Sequence, residues 1–85
     1  MPTITSEVVS GELIGTNKSY SVSLRLTIQE TWSNQSDRPV ARAILKAEPL
    51  SLSGVEEGSY TLRFLFGGKY EEQTVRIHYG FMLAD

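Results

Sequence analysis

The residues that could do chemistry in this chain are few and scattered. Histidine occurs once, at His78, and cysteine is absent from the 85 residues. A histidine that acts as a general base or a metal ligand needs suitable partners around it, and His78 stands between Arg76 and Gly80 in an alternating segment. The lack of cysteine excludes disulfides, thiolate catalysis and cysteine-ligated metal centres. We therefore interpret His78 as a surface residue.

The carboxylates also lack the arrangement that catalysis requires. Only Asp37 and Asp85 could complete a Ser-His-Asp triad; the first lies in a predicted loop and the second is the last residue. Two adjacent pairs stand out, Glu56-Glu57 and Glu71-Glu72. Glycosidases need two carboxylates directed across one cleft, whereas neighbours on a strand point to opposite faces. We predict that the protein is not an enzyme and has no catalytic, metal or cofactor-binding residue.

Alternation of apolar and polar residues predicts the strands that hold these side chains. Between Ser19 and Trp32, every second position from Tyr20 to Ile28 is apolar. Side chains on a strand alternate between its faces, so this pattern indicates one buried face and one hydrated face. The same alternation recurs from Tyr60 to Phe66 and from Val75 to Tyr79.

The other strands and the turns follow from weaker patterns. The segment from Ile4 to Ile14 is a predicted strand with a bulge or bend at Gly11. The segment from Val40 to Ala47 is a predicted strand too, with a short helix as the alternative because its alanines lower strand propensity. On this strand one face would carry Ala41, Ala43, Leu45 and Ala47. The other face would carry Val40 and Ile44 together with the cations Arg42 and Lys46. Gly67-Gly68-Lys69 predicts a hairpin, and Gly80 a turn into a short last strand.

These elements predict one all-β domain over residues 1–85. A chain of this length has room for a single core. Five or six strands with short links favour a small antiparallel β-sandwich, and a small barrel of the SH3 or OB type is the alternative. Trp32 continues the buried phase and is predicted to cap the core. Pro49 and the stretch up to Gly58 form the longest predicted connection between strands, which we expect to be a crossover or a wide loop.

The second half of the chain resembles a known family. Gly58-Ser59-Tyr60-Thr61-Leu62, preceded by Leu50-Ser51-Leu52 and followed by a Gly-Gly hairpin and a Val-Arg-Ile strand, is similar to the closing part of carboxypeptidase-regulatory-like (transthyretin-like) β-sandwich domains. Glu57 stands where those domains often carry proline. The resemblance implies an accessory or adhesive module without catalytic residues.

Net charge and hydropathy limit the partners and the location. The formal net charge is −2, with ten acidic and eight basic residues, which is too small to attract polyanions over the whole surface. No stretch approaches the roughly 20 apolar residues that span a bilayer, and the first residues lack the pattern of a signal peptide. We expect a cytoplasmic protein; the alternative is a secreted one whose leader has been removed.

Two sets of residues are candidates for binding. Apolar side chains in an otherwise polar phase predict an interface with another protein or a second copy, unless loops cover them; they are Val40, Ile44, Leu65 and Tyr70. Outward-facing cations, with Tyr70 or Phe81 nearby, suggest a single-stranded nucleic acid or polysaccharide instead; they are Arg25, Arg42, Arg63 and Arg76. Available glutamate partners make nucleic acid the less favoured ligand.

Overall fold

A computed structural model describes residues 2–31 and 41–84 of the chain, and these residues contain strands and no helix. The prediction of a small all-β antiparallel fold is confirmed. Trp32 and Val40 lie outside the described residues. The strands are β1 (Pro2–Ile14), β2 (Ser19–Thr31), β3 (Ala41–Pro49), β4 (Gly58–Phe66), β5 (Lys69–His78) and β6 (Phe81–Ala84).

All six strands belong to one sheet, in the order β3-β2-β1-β4-β5-β6. Every neighbouring pair is antiparallel. The sheet curls into a nearly closed barrel, so that the end of β3 and the start of β6 line a common cleft. The second sheet that a sandwich requires is not found in the described residues, and the architecture is closer to the barrel that was the alternative.

The inner face of the sheet carries the core, as the alternation predicts. Side chains at every second position of β2 and β4 are buried, and β1 and β5 add Leu13, Val75 and Ile77. Burying apolar surface is the main favourable term in folding. The buried set is Leu13, Val22, Leu24, Leu26, Ile28, Tyr60, Leu62, Phe64, Val75 and Ile77.

Two glycine-containing turns fix the register of the second half of the sheet. Gly67 and Gly68 take φ of 60° and 82°, and Tyr79 and Gly80 take φ of 50° and 78°. Positive φ at both central residues is the geometry of the type I′ hairpin turn. The turns set Phe66 opposite Lys69 and His78 opposite Phe81. Both turns were predicted from the sequence.

The connection from β3 to β4 crosses from one edge of the sheet to its middle. Its Leu52 and Val55 side chains pack against the core, and the Leu50 amide donates to the Ser23 carbonyl at 2.9 Å. The segment therefore covers one end of the barrel, which fulfils the prediction of a crossover here.

Gly11 marks a close approach of chains rather than a bulge. It pairs in regular register with Val22 on one side and Phe64 on the other. A Cβ at this position would lie 2.6 Å from Leu24 Cδ1 and 3.1 Å from the Arg63 carbonyl oxygen. A larger residue would require the Leu24 side chain or the Arg63 backbone to shift, because cores are close-packed.

The bulge lies in β3 instead, and it explains the apolar residue in the wrong phase. Thr27 pairs with Lys46 while Ile28 pairs with Ile44, so Leu45 is the extra residue. A bulge inverts the face of the residues beyond it. Ile44 and Ala47 consequently both pack against the core, whereas Leu45 is 53% exposed. The prediction that put Ile44 opposite the face of Ala47 is corrected by this shift.

We expect truncation of the two neighbouring apolar residues in β3 to have unequal effects. Ile44→Ala removes a half-buried side chain and should lower the free energy of unfolding by about 1–2 kcal/mol. Leu45→Ala removes an exposed one and should change it by less than about 0.5 kcal/mol. Urea denaturation followed by circular dichroism measures both, and equal losses would argue against the bulge.

Candidate functional site

The best candidate for a binding surface lies on the outer face of the sheet. Leu65 and Tyr70 are direct cross-strand partners on β4 and β5, and they are 49% and 62% exposed. Together with neighbouring residues of β1 and β2 they line a groove with a volume of about 400 Å³, which we call the outer groove. It is formed by Ser10, Gly11, Glu12, Ser21, Arg63, Phe64, Leu65 and Tyr70.

One guanidinium group organises the polar part of the outer groove. Arg63 Cζ lies 4.0 Å from the centroid of the Tyr70 ring, a cation–π contact. Its Nε lies 3.6 Å from Glu72 Oε2, and Glu12 is its direct cross-strand neighbour on β1. Arg63 Nε is buried and has no hydrogen-bond partner among the described residues. The outer groove thus places the exposed Leu65 and Tyr70 beside one positive side chain, Arg63, and two negative ones, Glu12 and Glu72.

The structure brings together only part of the predicted interface. Leu65 and Tyr70 lie side by side, whereas Ile44 packs against the core and Val40 lies outside the described residues. Sequence reasoning missed Ile4 and Val8, which are exposed on β1 in the same phase as Glu12 of the outer groove. Their alternation with polar residues was the available signal, but Val9, which packs against the core, broke the pattern.

The four arginines do not form one stripe. Arg25 lies opposite Glu48 of β3, and Arg76 lies on β5 opposite Ser59 of β4. Arg42 shares the phase of Ile44 and therefore lies on the inner face of the sheet, whereas Arg63 lies on the outer face. Its guanidinium lies 3.6 Å from both Glu7 and Glu30 and 5.0 Å from the centroid of the Phe66 ring.

The two aromatic residues suggested for stacking also lie apart. Tyr70 is near the start of β5, whereas Phe81 pairs with His78 at its other end. Eight residues of strand separate these positions, which is roughly 27 Å at the usual rise. A single ligand base or sugar cannot contact both rings.

His78 and the Glu56-Glu57 pair, which could have done chemistry, contact nearby protein groups instead. His78 Nδ1 lies 3.6 Å from Glu57 Oε1, and Glu57 also accepts a hydrogen bond of 3.1 Å from the Tyr79 amide. Glu56 is hydrogen-bonded to Lys18, which lowers the pKa of Glu56 and raises that of Lys18. Among residues 2–31 and 41–84, no three histidine or acidic side chains cluster closely enough to hold a metal ion.

Comparisons with known proteins add no relative. No protein-family model matches the chain, and no curated protein or solved structure is significantly similar to it. The resemblance to carboxypeptidase-regulatory-like domains therefore stays a prediction. Within the described residues, no helix has the length and apolar character needed to cross a membrane.

Tyr60 connects the core to the loop that carries Glu56. Its ring is buried and meets the Tyr20 ring edge-on at 6.0 Å between centroids. Its hydroxyl donates to the Glu56 carbonyl oxygen at 2.7 Å. Burial raises the pKa of the Tyr60 phenol, and the nearby Lys18 ammonium opposes this shift. The folded protein therefore keeps the Tyr60 proton to higher pH than the unfolded chain does.

We expect Tyr60→Phe to lower Tm by about 5 °C at pH 7, because it removes one hydrogen bond from a small domain. A raised pKa adds stability below the unfolded value near 10, and this is lost as pH rises further. The Tm difference from the unaltered protein should therefore shrink above about pH 10. Thermal unfolding at pH 7 and pH 10.5 tests this, with the exposed Tyr79→Phe as control. A difference that is constant with pH would contradict the assignment.

Proposed function

We propose that this domain is a non-enzymatic protein-interaction module that binds through the outer groove. The observation that carries the proposal is the exposed cross-strand pair of Leu65 and Tyr70, set beside the Arg63 guanidinium. Aromatic residues and arginine are enriched where proteins meet. Val8, two residues from Ser10 on the same face, extends the apolar area along β1.

The charges of the outer groove favour self-association as the form of this binding. Arg63 lies between Glu12 and Glu72, so the surface carries both signs. A two-fold pair of identical surfaces requires self-complementarity, and such a pair can set Arg63 of one copy against Glu12 of the other.

The alternative, a nucleic-acid or polysaccharide binder, has less support. A polyanion would meet Glu12 and Glu72 beside Arg63, and Glu48 opposite Arg25. Arg42 is held by Glu7 and Glu30 in the opposite phase. Retention on heparin or single-stranded DNA at 150 mM salt, weakening as salt is raised, would favour this alternative.

We expect the protein to form a concentration-dependent dimer that Leu65→Ser weakens. Loss of an apolar anchor of this size corresponds to roughly a tenfold rise in the dissociation constant. Sedimentation equilibrium over a range of protein concentrations measures the constant for each variant.

Leu45→Ser is the matched control. Leu45 is 53% exposed, close to the 49% of Leu65, but it lies on β3 away from the outer groove. Equal weakening by both substitutions would assign the effect to general loss of surface hydrophobicity. A protein that stays monomeric at all concentrations would rule out self-association through this surface.

A further inference from the structure

The barrel is open along one side, between β3 and the first half of β5. Residues of both strands line a cleft of about 370 Å³ whose floor includes Phe64 and Phe66. In the described residues β3 pairs only with β2, and β6 pairs with β5 only from Val75 to His78. Among the described residues, the edge of β5 from Lys69 to Gln73 therefore has no neighbour and faces this cleft, which we call the strand slot.

The hairpin geometry identifies which backbone groups face the strand slot. Residues that flank a two-residue turn form a hydrogen-bonded pair, and such pairs alternate along an antiparallel ladder. Phe66 with Lys69, and then Phe64 with Glu71, are the pairs of this kind between β4 and β5. The N–H and C=O groups of Tyr70 and Glu72 consequently point away from β4, into the slot.

The direction of the two walls suits one inserted strand. Because every neighbouring pair in the sheet is antiparallel, β3 and β5 run the same way. A strand between them can run antiparallel to both. β6 already has that direction and pairs Ala84 with Val75, so an inserted strand would continue the line of β6 along β5.

The edge of β3 is the less suitable partner. It contains the bulge at Leu45 and ends at Pro49, and bulges and prolines both discourage pairing at sheet edges. The edge of β5 from Lys69 to Gln73 has neither feature. We therefore expect the inserted strand to hydrogen-bond mainly to β5.

The charges of the slot define the side chains of the occupant. Glu71 shares the inward phase of Gln73 and Val75, is exposed, and forms no ion pair with any residue the structure describes. On the opposite wall, Lys46 is paired with Glu48 at 3.3 Å and Arg42 with Glu7 and Glu30. Two copies that paired antiparallel through this β5 edge, centred on Glu71 or Glu72, would set that glutamate opposite the same residue of the other copy, and repulsion between like charges disfavours this.

We propose that the strand slot accepts an extended segment of a partner protein as an added strand. The segment presents an apolar side chain opposite Gln73, toward the phenylalanine floor, and a basic one opposite Glu71. Strand addition of this kind uses backbone hydrogen bonds for affinity and alternate side chains for specificity. The side chains that define this site, Glu71 and Gln73, lie on the face of the sheet opposite to the Leu65 side chain of the outer groove.

The test uses the blocked peptide Val-Thr-Lys-Thr, whose residues are designed to lie opposite positions 73 to 70. Two-dimensional NMR of the protein at saturating peptide should show slower amide exchange at Tyr70 and Glu72, and no change at Gln73, whose amide already bonds to β4. Replacing lysine by glutamate in the peptide should weaken binding about fivefold.

Two modifications test the backbone contacts. Glu72→Pro removes one slot-facing N–H and should weaken binding about fivefold relative to Glu72→Ala, which keeps it. N-methylation of the peptide threonine that lies opposite Glu72 removes the matching donor without altering the protein, and should have the same effect if Glu72→Pro fails to fold.

Several results would overturn the proposal. They are unchanged exchange at Tyr70 and Glu72, slowed exchange instead along the part of β1 before Gly11, where β4 does not pair with it, or equal affinity for the lysine and glutamate peptides. Leu65→Ser should bind the peptide as the unaltered protein does, so failure of the strand slot is distinguishable from failure of the outer groove.

Discussion

The barrel depends on the short ladder between β1 and β4. Only Gly11 to Ile14 of β1 pair with β4, yet this junction joins the unit of β1, β2 and β3 to the unit of β4, β5 and β6. Leu13 is fully buried at the junction, and Gly11 lets the Leu24 side chain and the Arg63 backbone approach closely. Long-range pairing of this kind carries a loop-closure cost that the buried contacts must exceed.

The same junction produces the two surfaces that we consider for binding. On the outer face, it sets Glu12 of β1 beside Arg63 of β4 and so forms the outer groove. On the inner face, the curl that it begins brings β3 opposite β5, with Phe64 and Phe66 between them. The described strand β6, from Phe81 to Ala84, lies along β5 from Val75 to His78, and the part of the gap beside Lys69 to Gln73 is the strand slot.

Local patterns predicted what local physics determines. The alternation in β2 and β4 and the glycine pairs at the turns are properties of a few neighbouring residues, and they fixed the strands and hairpins correctly. The choice between sandwich and barrel depends on which strand pairs with β1, and its partner β4 lies about fifty residues further along the chain, so no local signal reports it. The prediction for the face of Ile44 was wrong for a different reason: the extra residue of the bulge is Leu45, and leucine is not a residue type that marks a bulge.

The candidate sites also divide into features that neighbouring residues determine and features that long-range pairing determines. Leu65 and Tyr70 were identified because an apolar residue in a polar phase is visible in the sequence, and a glycine turn places them opposite each other. Arg42 could not be separated from the other arginines, because the bulge that distinguishes its part of β3 from the rest is not visible in the sequence. The strand slot was not visible at all, since an unpaired edge is defined by the absence of a neighbour. Exposed strand edges are usually shortened, covered or charged, and the β5 edge has charge alone: two glutamates repel a like-charged strand and leave room for a basic one.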